Sequence, residues 1–181
     1  MIVASLTIAS YRSALALDKS PSPVSRKILD NPKPEHVRTL ISALNGCGCV
    51  PKHHPVRDAL VKIGKPAASP LIKRMNSTTK WWIQLECVYI LGLIGPEAGV
   101  AEELRKANIR HPLPKRYLGI ARTAMLSDSE QLRLYAKGKR FPGSSKKYVQ
   151  ELLALTEQRA KAKKEAGNSK QQVSSSKVDA K

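Results

Sequence analysis

Aromatic residues are scarce in this 181-residue chain: one Phe, two Trp and five Tyr, 4% of the total. An aromatic core is thereby excluded, and Leu, Ile, Val and Ala, the residues of packed helices, must supply it. Three cysteines are too few for a disulfide-dense scaffold. Acids are also few, 14 Asp/Glu against 32 Lys/Arg, which leaves a formal charge of +18. No run of about 18 apolar residues occurs, so an internal transmembrane helix is excluded. Missing too are the nucleophile-elbow, P-loop, Rossmann and H-E-x-x-H patterns, and no pair of acids has a spacing suited to acid/base work. The expectation is a protein that is not an enzyme and carries no cofactor. What remains is 41% hydrophobic and long enough for one domain of ordinary size, which excludes a fully disordered chain.

What is present is a repeat. Val56, Ala59, Leu60, Ile63 and Gly64 recur as Cys87, Ile90, Leu91, Ile94 and Gly95, each 31 residues later. The apolar positions fall at i, i+3, i+4 and i+7, one stripe of an amphipathic helix. Each stripe ends at a glycine, which takes a C-cap conformation without steric cost, and proline and alanine follow. The same offset maps Val37, Leu40, Ile41 and Leu44 onto Ala68, Leu71, Ile72 and Met75. Val100, Ala101 and Leu104 continue the series displaced by one residue. The spacing therefore predicts first helices over about 55–63 and 80–93, and second helices over about 34–44, 67–75 and 97–107. A degenerate further pair is expected over 114–137, with Asp128-Ser129-Glu130 opening its second helix.

The period, with Trp81-Trp82 opening a helix and Leu91-Gly92-Leu93-Ile94-Gly95 closing it, resembles the short HEAT-like repeat of the phycobilisome-lyase type. The resemblance covers about residues 33–107. Ile90 stands where the family usually has a small residue, and Gly92 resembles its device for close approach of neighbouring helices. The resemblance implies an all-α fold, a short α-solenoid of stacked antiparallel helix pairs, in a class whose members are mostly protein-binding scaffolds. By fold analogy alone it also implies an accessory role beside a lyase-like modifying enzyme.

On this reading residues 33–137 form the solenoid, 17–32 a polar linker, 138–166 a loop and C-terminal helix, and 167–181 a disordered tail. The last helix is expected to start at Ser144 or Ser145 and run to about Ala162, because the apolar residues stop there. Residues 1–16 fit either a candidate signal peptide, with Ala14 and Ala16 before the cut, or a first packed helix. An extracytoplasmic location is favoured over a cytoplasmic one on that segment alone.

Cys47-Gly48-Cys49 with His53-His54 is the one cluster resembling metal ligands, but C-x-C is tighter than zinc sites use. A loop between two repeats is the expectation there, and no metal; in an exported chain, Cys47 or Cys49 would be open to a disulfide. Cys87 lies on the apolar stripe and is expected to be a buried small hydrophobe.

Function is then expected from surfaces. Another protein would meet the face of the second helices, through Arg38, Lys73, Arg74, Glu103 and Lys106, with Trp81 or Trp82 as anchor. The alternative is a polyanion, nucleic acid or an anionic membrane surface, because 19 Lys/Arg against 6 Asp/Glu follow Leu104, compared with 13 against 8 before it. Arg159, Lys161, Lys163 and Lys164 would make those contacts.

Overall fold

The computed structural model describes residues 24–44, 55–138 and 143–175. The candidate signal segment, the Cys47–His54 cluster and residues 176–181 lie outside the described residues. Among the described residues the regular structure is entirely helical: α1 (Arg26–Asp30), α2 (Val37–Ser42), α3 (Pro55–Ile63), α4 (Lys65–Ser77), α5 (Trp81–Ile94), α6 (Ala101–Arg105), α7 (Pro112–Met125), α8 (Ser129–Lys137) and α9 (Gly143–Ser175). Short 3₁₀ turns at Pro34–His36 and Gly95–Ala98 lead into α2 and α6.

The 31-residue offset reappears in the backbone. Gly64 and Gly95 both take φ 72°, a region glycine enters without strain, and each ends a first helix so that the chain reverses at once. Pro66 then occupies the first turn of α4, where its missing N–H leaves no bond unmade. The stripe positions Val56, Ala59, Leu60, Ala68, Leu71 and Met75 are all buried, as are Val37, Leu40, Ile41 and Leu44. Helices α2, α3 and α4 pack on one another, and α3 and α4 both pack on α5.

Helix α5 is the centre of the molecule. It touches α3, α4, α7, α9 and the 3₁₀ turn that follows it, and every residue from Ile83 to Ile94 is buried. A helix apolar on all sides belongs in a core rather than at a surface. Its contact with α7 is close because Gly92 has no side chain: a β-carbon there would overlap the Tyr148 hydroxyl of α9 and press on the Ala121 Cβ of α7. Tyr148 is fully buried and donates to the Val88 and Tyr89 carbonyls at 3.4 and 3.3 Å. Gly92→Ala is therefore expected to lower stability by about 1–3 kcal/mol, despite alanine's better helix propensity. Urea unfolding of Gly92→Ala, Tyr148→Phe and the pair checks this. Removing the hydroxyl should make the pair less unstable than the sum of the two single changes.

Three expectations are corrected. The second helix over 97–107 is broken, because Gly99 takes φ 67° and separates the 3₁₀ turn from the five-residue α6. The linker 17–32 contains α1, whose Ile28 and Leu29 pack on the core. Finally, α9 does not stop near Ala162 but continues to Ser175. Its 33 residues are about 50 Å long, well beyond what the core can cover. No helix among the described residues is long and apolar enough to cross a membrane.

Candidate interaction surfaces

A buried polar cluster ties the scaffold together. Arg57 of α3 makes a two-pronged contact with Glu86 of α5, Nε to Oε2 at 3.2 Å and the terminal nitrogen to Oε1 and Oε2 at 3.1 and 3.0 Å. Both side chains are nearly sealed from solvent, 6% and 7% exposed. The guanidinium also lies over the Tyr89 ring, 4.7 Å from its centre. Tyr89 in turn donates from its hydroxyl to Glu151 of α9 at 2.6 Å and stacks on Tyr148, which stacks on Tyr117 of α7. Four helices thus meet through one chain of charge-assisted and aromatic contacts. Burial pushes the Tyr148 and Tyr89 hydroxyls above their ordinary value, helped at Tyr89 by its bond to Glu151. Burial likewise raises the Cys87 thiol to about 12, so this cysteine is an inert core residue, as its place in the stripe implied.

Two open grooves flank this core. The first, about 690 Å³, runs between α4 and the segment formed by Pro34–His36 and α2. Pro34, Pro66 and Pro70 give it exposed apolar wall above the buried Val37 and Ile41, and Arg38, Lys73 and Arg74 line it with Glu35 as the one acid among the described residues. The sequence stripe explains the meeting: the buried positions of α2 and α4 correspond across the repeat, so residues one step off each stripe rise on the same side. Arg38 and Lys73 are exposed, whereas Arg74 is half-buried and its Nε lies out of solvent with no hydrogen-bond partner among the described residues.

The second groove, about 860 Å³, lies between the α4–α5 turn and the α6–α7 connection. Trp81 and His111 line it as a stack, ring centres 4.8 Å apart and planes 13° from parallel. His111 is held there because its Nδ1 accepts from the Leu113 N–H and caps α7. Gln84 fixes the opposite wall by donating its amide to the Thr78 carbonyl at 3.1 Å. Lys106 and Arg110 supply positive charge, Asn76 and Asn108 amides, and no acid among the described residues lines the groove.

The structure thus brings Arg38, Lys73 and Arg74 together in one groove and Trp81 with Lys106 in the other. Trp82 lines neither groove; it meets Trp81 edge to face at 5.8 Å and lies under Lys80. Both tryptophans are half-buried. Glu103 stands exposed on α6, apart from both grooves. Sequence reasoning missed Arg110 and Asn108, which sit in an irregular connection that carries no periodic signal.

The expected polyanion set on α9 is also divided. Arg159 is committed elsewhere: it donates to the Leu93 and Ile94 carbonyls at 2.8 and 3.1 Å, satisfying the end of α5. Lys161 lies 4.0 Å from Glu165, and Lys163 and Lys164 are exposed. Among the described residues no group of three or more His, Cys, Asp or Glu side chains is placed to hold a metal. Compared with known proteins, the chain matches no family model, no curated protein and no solved structure.

Proposed function

We propose that this protein is a short α-solenoid of HEAT-like helix pairs that acts as a non-catalytic scaffold and binds another protein in the groove between α2 and α4. The observation that carries the reading is the meeting of Arg38, Lys73 and Arg74 over an apolar wall with a single acid nearby. That combination suits an extended acidic segment, whose carboxylates meet the cations while its apolar side chains cover the exposed Pro34, Pro66 and Pro70. The repeat supports it as well. Units that share one buried stripe present the opposite faces of successive second helices as a continuous surface, which is how stacked helix pairs commonly bind.

Arg38→Glu/Lys73→Glu tests it, since both residues are exposed and their change leaves the core untouched. A fluorescent peptide rich in Asp and Glu with interspersed Leu is expected to bind the unaltered chain and to lose about tenfold or more in affinity for the variant. Equal affinity for both proteins would place the binding surface elsewhere.

A further inference from the structure

We propose that the groove holding the Trp81–His111 stack is a binding site for single-stranded nucleic acid. Its chemistry differs from that of the α2–α4 groove. Two flat rings line it, and an acidic peptide has no use for them; a base does, because every base has a π-face to lay against an aromatic ring. Lys106 and Arg110 are exposed, form no ion pair with any described residue, and stand along the same groove, as phosphate contacts require. Asn76 and Asn108 add amides, each carrying both donors and an acceptor for base edges. An acid-free wall matters as much as the cations, since a single carboxylate there would repel the backbone.

A duplex does not suit the site. Its bases are already stacked on each other and offer the rings only edges, so strand separation would have to come first. The basic stretch of α9 does not define the site either, because Arg159 is spent on α5 and Lys161, Lys163 and Lys164 do not line this groove. The site is independent of the proposed protein-binding groove: Arg38→Glu/Lys73→Glu should leave it unaffected, so the two readings fail separately.

The test uses Trp82→Phe, which leaves Trp81 as the sole tryptophan of the chain. Titration with an oligouridylate of about ten nucleotides is expected to quench Trp81 emission. In Lys106→Gln/Arg110→Gln the affinity should fall about tenfold, and the slope of log K against log salt should shrink by about 1.4, two phosphate contacts' worth. The same affinity change should appear by anisotropy of a labelled oligouridylate with Trp82 left in place, so a fold defect in the tryptophan variant cannot obscure it. Absence of quenching would overturn the proposal, as would an unchanged affinity and slope in the double variant. Equal quenching by polyglutamate, or equal binding of a duplex of the same length, would overturn it too.

Discussion

Glu86→Ala is expected to lower the unfolding free energy by about 3–5 kcal/mol, the scale for removing one partner of a buried ion pair. The reason lies in what remains rather than in what is lost. Arg57 is sealed between α3 and α5 with its guanidinium over the Tyr89 ring, and without Glu86 its charge loses the carboxylate that faces it there. A guanidinium does not escape by giving up its proton, so the desolvation cost that Glu86 offset falls on the fold. The contrast that proves the point is Arg57→Met with Glu86→Leu. Removing both charges together should restore stability to within about 1 kcal/mol of the unaltered protein, or exceed it. Urea unfolding of the three variants reads this directly. If the double variant were as unstable as Glu86→Ala, the pair would be holding the helices together by its own attraction, and the account of its energetics would be wrong.

Alkali is expected to unfold the protein, with stability falling ever more steeply above about pH 9 and by at most about 4 kcal/mol per pH unit near pH 11. The Cys87 thiol titrates ordinarily near 9.0 and is raised to about 12 in the fold. The Tyr89 and Tyr148 hydroxyls are raised above their ordinary 10.0. All three stay protonated in the folded state after the unfolded chain has released its protons. The unfolded state then binds fewer protons, so stability is fully present below about pH 9 and declines as pH rises toward the folded values. Each group contributes about 1.4 kcal/mol per unit, and a total stability of about 5–15 kcal/mol is exhausted within a few units. Tyr148→Phe removes one of the three, and its slope should be about a third shallower. An unaltered slope would mean that Tyr148 ionises in the fold as easily as in water.

Most of the helices were legible because their burial is one-sided. The stripe Val56-Ala59-Leu60 and its counterpart at 87–94 are core positions, as are Val37, Leu40, Ile41 and Leu44 and their counterparts at 68–75, and Gly64 and Gly95, which end the first pair, take the positive φ the offset implied. The break at Gly99 had a trace in the sequence too, as the one-residue slip at Val100. The length of α9 had none of that kind. Its second half lacks apolar residues, and helix there rests on the intrinsic preference of Ala, Lys, Glu and Gln rather than on packing. The Arg57–Glu86 pair was hidden differently. Arg57 stands beside a stripe, where charge usually means solvent, yet Glu86 is the only charged residue in Trp81–Ile94. A lone acid in a helix apolar on every side calls for a buried partner, and that signal was readable. The grooves were legible only in part. Arg38, Lys73 and Arg74 follow from the register of α2 against α4, whereas the Trp81–His111 stack brings together the starts of α5 and α7, which no periodicity links.

The claim that the α2–α4 groove is where another protein binds is tested most directly by photo-crosslinking in the native cell. A crosslinking amino acid placed at position 73 lies in the groove, and one at position 103 lies on α6 outside it. The account predicts a partner captured from 73 through an acidic segment, absent from 103, and lost when Arg38 is changed to Glu. A partner captured equally from both positions, or one that survives the change at Arg38, would contradict it.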